Sequence, residues 1–222
     1  MPITVASDAP RIALWSWRED VSVEADPAGA SALLHTRWGE VALESPGRRV
    51  AEALRRMTLG PVYLDNVVAS APERDRLAEL LDGLQDVVVR SLGTEDGMGP
   101  LLSVVPVGRH ATFRPRPPAP EHPVRLSRRA VLRPERDALV LAAPGAAHRV
   151  VLHQPVARAV TAALGAPIST GAVAEALRLP TGLAVDLVGY LSGTGLVVPA
   201  ARRGGDGPAQ TGHGGSGAAE LG

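Results

Sequence analysis

Arginine is the residue type in this chain best suited to bind a charged ligand, and it clusters in the segment RLSRRAVLRPERDALVLAAPG, Arg125 to Gly145. A guanidinium group can donate two parallel hydrogen bonds to a carboxylate or a phosphate. The arginines are interleaved with leucine, valine and alanine at strand-like spacing, which predicts a strand that receives an extended, acidic peptide as an added strand. The residues predicted to bind this peptide are Arg125, Arg128, Arg129 and Arg133.

A second interpretation of these arginines stays open. Charged side chains on an edge strand prevent unwanted sheet pairing and keep a protein soluble. If the segment is one strand, Arg125 and Arg129 lie on one face and Arg128 lies on the other, so the cations do not form a single stripe.

Several kinds of catalytic site are excluded by residues that the chain lacks. The sequence contains no lysine and no cysteine, so a Schiff-base lysine, a P-loop lysine, a thiolate zinc site and a cysteine nucleophile are all excluded. His148 and His153 are five residues apart on a predicted strand, on opposite faces, and do not converge on one metal ion. His153 is predicted to be an exposed residue at a strand end. We therefore predict no catalytic, cofactor-binding or metal-binding residue, and whether the chain belongs to an enzyme stays open.

Nucleic-acid binding is a further alternative, because the pattern of strands and helices described below is typical of a winged helix, a fold that often binds DNA. The chain has 23 basic and 23 acidic residues and a net charge of zero, so no global field attracts a polyanion. Of the two helices that could enter a DNA groove, TGLAVDLVGYLSG has no arginine and PERDRLAELLDGLQ is mainly acidic. Because acidic helices are repelled by phosphates, no nucleic-acid partner is expected, and a DNA-binding regulator is the less favoured reading.

Composition divides the chain into four segments. Residues 114–123, RPRPPAPEHP, contain five prolines, which predicts a linker at 113–123 between a first unit at 10–112 and a second unit at 124–200. Residues 201–222 are glycine-rich and predict a disordered tail. No stretch approaches ~20 consecutive apolar residues and the N-terminus does not resemble a signal peptide, so we expect a cytoplasmic protein without a membrane partner.

The two units repeat one pattern of residues. Val41 and Leu43 alternate on a predicted strand that precedes the helical stretch RRVAEALRRM, and Val150 and Leu152 alternate on one that precedes VARAVTAAL. Each unit continues with further helices and a final strand. A small sheet with about three helices is typical of a winged helix. The predicted fold is therefore α+β, with two tandem winged-helix-like units joined by the Pro-rich linker.

The tryptophans allow two interpretations. Trp15 and Trp17 share one face of a predicted strand, either as a buried pair or as an exposed hot spot for a partner protein. Trp38 precedes Gly39 at a predicted hairpin and is expected to anchor the turn or the core.

The second unit carries a leucine-serine-arginine start at 126–128, an L-x-L-x-x-P strand at 139–144 and a V-x-L-H-x-P strand at 150–155. In these motifs it resembles the N-terminal region of SagB-type peptide dehydrogenases. In the first unit, TRWGEVAL and PLLSVVP are similar to the earlier part of that region. Two positions depart from the family pattern: Arg129 stands where an aromatic residue is common, and Ala142-Ala143 where Glu-Ser is common.

This resemblance implies a role in the maturation of ribosomally made peptide natural products. Members of the family oxidise peptide azolines to azoles with FMN, which is held in a nitroreductase-like domain that follows this region. No such domain is recognised in this sequence, so the expected function is peptide recognition or docking without a catalytic site and without a cofactor in this chain. The expected partners are a precursor peptide, a cyclodehydratase or an oxidase. One alternative is a truncated piece of the FMN-dependent azoline oxidoreductase, and another is a dimerisation or docking scaffold for the oxidase domain.

Overall fold

The computed structural model describes residues 10–96, 99–136 and 138–200. The predicted tail at 201–222 lies outside the described residues. The strands are β1 (Arg11–Trp17), β2 (Ser22–Ala25), β3 (Ser31–Thr36), β4 (Gly39–Glu44), β5 (Val62–Tyr63), β6 (Val88–Thr94), β7 (Pro100–Pro106), β8 (Pro123–Leu126), β9 (Val131–Glu135), β10 (Ala138–Ala142), β11 (His148–Leu152), β12 (Ile168–Ser169) and β13 (Val197–Pro199). The helices are α1 (Arg48–Arg56), α2 (Ala71–Gly83), α3 (Pro155–Ala163), α4 (Thr170–Leu177) and α5 (Thr181–Gly193). The predicted mixture of helices and strands is confirmed.

The strands form three antiparallel sheets. The largest has seven strands in the order β5-β1-β6-β7-β11-β10-β9, and two smaller sheets have the orders β12-β8-β13 and β2-β3-β4. None of the helices in the described ranges combines the length and the apolar character that a membrane crossing requires.

The seven-stranded sheet joins chain segments from both sides of the predicted linker. Strand β7 pairs with β6 on one edge and with β11 on the other, where Leu102 lies opposite Leu152. The sequence prediction gave each unit its own sheet, and the structure differs at this point. The physical reason lies in β7 itself: all of its residues after Pro100 are buried, and a strand that is apolar on both faces belongs in the interior of a sheet.

The order of elements in the first half of the chain recurs in the second half. Strands β1 to β4, helix α1, β5, a 3-10 turn, α2 and β6 are followed after β7 by β8 to β11, α3, β12, α4, α5 and β13. Strand pairing recurs as well, because β5-β1-β6 matches β12-β8-β13 and the meander β2-β3-β4 matches β9-β10-β11. Val41 and Leu43 in β4 therefore take the same place in the element order as Val150 and Leu152 in β11.

Two hydrophobic clusters stabilise the fold. The first cluster lies among β1, β3, α1 and α2, and its fully buried side chains include Leu34, Leu54 and Leu81. The second cluster lies between the seven-stranded sheet and helices α3 to α5, and it contains Leu102 and Leu187. Strand β6 contributes residues to both clusters, so the clusters share a wall.

The proline-rich segment packs on α5. The Arg116 amide donates to the Gly189 carbonyl oxygen at 2.8 Å. A Cβ added to Gly193 would lie 2.3 Å from the Arg114 carbonyl oxygen, so only glycine allows this approach. Residues 114–119 form no helix or strand, yet their contacts with α5 tie them to the second cluster.

Candidate functional site

The four arginines predicted to bind a peptide lie in three different settings. Arg125 is in β8, the middle strand of a three-stranded sheet. Arg128 and Arg129 are exposed in the turn between β8 and β9, and Arg133 lies on β9. The prediction of one continuous strand is wrong, because this turn carries the chain from one sheet to another. The structure therefore does not bring the four side chains together on one edge, and only Arg133 lies on an edge strand.

Two edge strands are long enough to receive an extended peptide. The edges of the three sheets are β5, β9, β12, β13, β2 and β4. Within the described residues only β4 and β9 among them are five residues or longer. Short edge strands are a common protection against unwanted pairing, so β4 and β9 are the described edges best able to accept an added strand.

The outer edge of β9 is a poor acceptor for another strand. Pro134 lies opposite Leu139 in the ladder with β10. Proline is tolerated within a sheet where its nitrogen faces away from the neighbouring strand. The nitrogen of Pro134 therefore faces the open edge of β9, and this edge has no hydrogen-bond donor at that position. Val131 and Leu132 are 43% and 41% exposed on the same strand. The missing donor at Pro134 favours the interpretation of Arg133 as edge-strand charge that limits pairing, whereas the exposed Val131 and Leu132 do not.

The outer edge of β4 offers a continuous row of backbone donors and acceptors. The β3–β4 hairpin turns through two residues, with Thr36 opposite Gly39. Because hydrogen-bonded and non-hydrogen-bonded pairs alternate, the amides of Glu40, Ala42 and Glu44 point toward the open edge. The strand contains no proline, and within the described residues no other strand pairs with this edge.

An apolar groove runs beside this edge, between β4 and α2, with a volume of about 330 Å³. Its floor is formed by the half-buried Leu43, Leu80 and Leu84, which pack against the first hydrophobic cluster. A Cβ added to Gly83 at the groove wall would meet no atom within 4 Å, so this wall is open. The guanidinium of Arg76 donates to the Ser45 carbonyl oxygen at 3.1 Å and holds the end of β4 against α2. We call this feature the leucine groove.

Helix α2 is held in place by side-chain hydrogen bonds at its N-terminus and by two leucines. The Ser70 hydroxyl accepts a hydrogen bond from the Glu73 amide at 3.4 Å, and the Glu73 carboxylate accepts one from the Ala69 amide at 3.2 Å. Leu77 and Leu81 are fully buried in the first cluster. Leu80, at the margin of this buried face, lines the leucine groove.

The tryptophan pair of β1 is buried. Trp15 and Trp17 are each 6% exposed, and the Trp17 indole donates to the Leu54 carbonyl oxygen at 2.8 Å. The Arg90 guanidinium lies 3.2 Å from the centre of the Trp15 ring. The interpretation as a buried pair is confirmed, and the interpretation as an exposed hot spot is wrong. Trp38 lies in the β3–β4 turn and is half-buried.

The two histidines of the β11 region lie in different surroundings. His148 is 4% exposed, and its ring meets Phe113 at a centroid distance of 5.9 Å. His153 Nε2 lies 2.9 Å from the Ser103 hydroxyl, which in turn lies 2.7 Å from the Ser91 hydroxyl. Burial lowers the pKa of His148, and burial together with the charge of Arg158 lowers the pKa of His153. The prediction of His153 as an exposed residue is wrong, because the side chain is half-buried against β7.

The Ser103–His153 contact is a pair that sequence reasoning missed. Fifty residues separate the two, and no local pattern links them. They line a cleft of about 640 Å³ on the seven-stranded sheet. A serine nucleophile needs a histidine whose second nitrogen is oriented by a third group, usually a carboxylate. Among the described residues no ion pair brings a carboxylate to His153, so we interpret the contact as a cross-strand hydrogen bond.

Candidate metal ligands do not cluster in the part of the chain that the structure describes. There, no group of three or more histidine, aspartate or glutamate side chains could hold an ion. The nearest acidic–histidine grouping is His35 on β3, whose Nδ1 lies 3.2 Å from a carboxylate oxygen of Glu40 and whose Nε2 lies 3.5 Å from one of Glu24.

No protein-family model matches the chain, and no curated protein matches it.

Proposed function

We propose that this chain recognises a peptide in an azoline dehydrogenase system of the SagB type, during the maturation of a ribosomally made natural product. The single observation that carries the proposal is the open edge of β4 beside the leucine groove. In this proposal the recurring order of elements represents two tandem winged-helix-like units, and the first of them holds the peptide. The partners are the precursor peptide and the cyclodehydratase or oxidase that acts on it.

The binding mode is strand addition at β4. The peptide hydrogen-bonds to the open edge through its backbone, and every second side chain of the peptide enters the leucine groove. Backbone bonds provide affinity for any extended peptide, whereas Leu43, Leu80 and Leu84 select apolar side chains at alternate positions.

The pairing of β7 with β11 shows, within this chain, the arrangement proposed for a peptide on β4. Strand β7 lies antiparallel on the outer edge of β11. Strands β4 and β11 are both the last strand of a three-stranded meander that precedes a helix. A peptide on β4 would therefore take the position that β7 takes on β11.

A second copy of the chain is a poorer occupant of the β4 edge. Consider two β4 strands paired antiparallel, with a two-fold axis at Ala42. Glu40 of each copy would then lie opposite Glu44 of the other copy. Like charges directly opposite each other destabilise a strand pair. The edge therefore favours a different chain as its partner.

Duplex DNA is also a poorer occupant than a peptide. The exposed surface of α2 carries Glu79 and Asp82 near the groove, and β4 carries Glu40 and Glu44. Along most of its length α5 is buried, and its Asp186 pairs with Arg11. Phosphates would meet acidic side chains on the one helix and find little free surface on the other.

The proposal requires no flavin contact from this chain. The resemblance places FMN in a nitroreductase-like domain, separate from the region described here. This chain would present the peptide to that domain, whether the domain is supplied by a partner oxidase or by the same protein.

The first test is a substitution in the leucine groove. Leu80→Asp is expected to weaken binding of a labelled precursor leader peptide by about tenfold or more, because the new carboxylate would be buried against apolar peptide side chains. Fluorescence anisotropy measures the affinity, and thermal melting checks the fold. The matched control is Leu59→Asp, since Leu59 is 81% exposed and lies outside the groove.

Unchanged affinity in Leu80→Asp would contradict the groove assignment. A pull-down that recovers neither the leader peptide nor the companion cyclodehydratase above background would remove the proposed function itself.

A further inference from the structure

An arginine-lined cleft on α1 lies near the leucine groove, with one shallow depression between them. Arg76 borders both the leucine groove and a second depression at the start of α1. Arg48 and Arg49 line that depression and also line a cleft of about 670 Å³, together with Arg55 and Arg56. We call this cleft, defined by these four α1 residues, the arginine cleft. This depression therefore lies between the leucine groove and the arginine cleft, and we call the three neighbouring concavities the track.

The arginine cleft has more basic than acidic side chains on its walls, although Arg49 also pairs with Glu73 at 3.6 Å. Four arginines and two acidic residues, Asp26 and Glu52, line it. Hydrogen bonds from Arg55 and Arg56 hold the pKa of Glu52 at about 2, so this carboxylate is ionised at neutral pH and balances part of the charge. Arg48 is exposed and forms no side-chain hydrogen bond or ion pair with any described residue.

The walls of the arginine cleft suit an extended peptide with several side chains better than a single small anion. Pro27, Val67, Val68 and Ala69 also line the cleft and add apolar surface to it. An arginine fork pairs with a carboxylate in a planar, bidentate arrangement. Aspartate and glutamate side chains on a peptide match this mixture of charge and apolar surface.

We infer that the peptide bound at β4 is bipartite, with an apolar extended segment in the leucine groove and an acidic segment in the arginine cleft. The inference rests on the proposed function for the position of the first segment. Strand β4 runs toward α1, because Glu44 is followed by the start of that helix within a few residues. Antiparallel pairing is the more stable arrangement, so the acidic segment lies on the N-terminal side of the apolar segment.

A nucleic acid fits this track less well than an acidic peptide does. Its phosphates would have to pass Glu73, which borders the depression between the two sites, and Glu79, which borders the leucine groove. A peptide can place neutral or basic residues at these points. If RNA binds at this track as well as the acidic peptide does, the inference is wrong.

The test uses the full chain and four synthetic labelled peptides that share one segment of alternating valine and threonine. One peptide is this segment alone, two carry a block of glutamates at the N-terminal or the C-terminal end, and one carries glutamines at the N-terminal end. The N-terminal glutamate block is expected to tighten binding about tenfold over the glutamine block, with the advantage lost at high salt. Fluorescence anisotropy at two salt concentrations measures both effects.

Variants locate the effect in the arginine cleft. Arg48→Glu combined with Arg55→Glu is expected to abolish the advantage of the glutamate block and to leave binding of the valine-threonine segment unchanged. If this double variant does not fold, Arg48→Gln with Arg55→Gln provides the same readout with a smaller loss. Arg109→Glu is the control, because Arg109 is exposed and lines none of the three concavities of the track.

The outcomes separate the inference from the proposed function. Equal affinity for the glutamate and glutamine peptides would overturn the bipartite ligand and leave strand addition standing, whereas no binding by any peptide would overturn both. Binding of the glutamate peptides without binding of the segment alone would support the arginine cleft and contradict the β4 site. Tighter binding with the C-terminal block would overturn the orientation, and equal competition by a single-stranded RNA oligonucleotide would overturn the peptide assignment.

Discussion

Replacing Ala42 with proline is expected to weaken peptide binding at β4 by about tenfold or more while the protein stays folded. The Ala42 amide faces the open edge, so proline removes a donor that the added strand needs and places its ring in the path of that strand. Proline is tolerated on an edge strand when its nitrogen faces outward, which is the position that Pro134 takes on β9. Fluorescence anisotropy with the leader peptide measures the loss.

Two further variants make this result specific. Ala42→Val keeps the amide and is expected to bind as the wild type does. Leu132→Pro removes the corresponding outward donor from β9 and is expected to leave binding unchanged. If Leu132→Pro abolishes binding and Ala42→Pro does not, the peptide lies on the β9 edge beside Arg133 and the assignment to β4 is wrong.

Truncating Leu102 to alanine is expected to lower the free energy of unfolding by about 2–5 kcal/mol and to destabilise both halves of the chain together. Leu102 is fully buried in β7, opposite Leu92 on one side and Leu152 on the other. A cavity at this position weakens the strand that joins the two halves of the seven-stranded sheet. Leu59→Ala, at an exposed position, is the control and is expected to have little effect.

The chain offers separate probes for the two halves in this experiment. Trp15, Trp17 and Trp38 all precede β5, so tryptophan fluorescence reports on the first half. Amide exchange in β10 and β11 reports on the second. Coincident urea transitions, shifted equally by Leu102→Ala, are expected for one cooperative sheet. A shift in β10 and β11 with an unmoved fluorescence transition would show that the halves unfold independently.

The elements that sequence predicts well are those determined by local patterns. Val41 and Leu43 alternate on β4, and Val150 and Leu152 alternate on β11, as period-two spacing indicates. Ser70 and Glu73 have the S-x-x-E spacing typical of a helix start, a further local signal, and α2 begins directly after Ser70. The repetition of one order of elements was visible for the same reason, because each repeat carries its own local signals.

The partners of the strands could not be read from local patterns. Strand β7, PLLSVVP, is buried on both faces in the structure, but its residue pattern does not show that it pairs with β11 and leaves β4 open. This choice is a contact between residues far apart in sequence, and it decides where the candidate site lies. The open edge of β4 therefore could not be predicted from the sequence.

The arginine segment contains a turn signal at Ser127 that argues against one continuous strand. Ser127 accepts a hydrogen bond from the Arg129 amide at 3.4 Å, and the Ala130 amide bonds to the Ser127 carbonyl oxygen at 2.9 Å. Serine favours such turns, because its hydroxyl competes for backbone donors. Pro134 was also visible, and its position on an edge strand indicates a surface that resists pairing.

Amide hydrogen exchange on the full chain, with and without the leader peptide, tests the β4 assignment most directly. The account predicts slower exchange at Glu40, Ala42 and Glu44 when the peptide is bound, since their amides become donors to the added strand. Slower exchange confined to Leu132 and its neighbours on β9, or no change at β4 under saturating peptide, would contradict it.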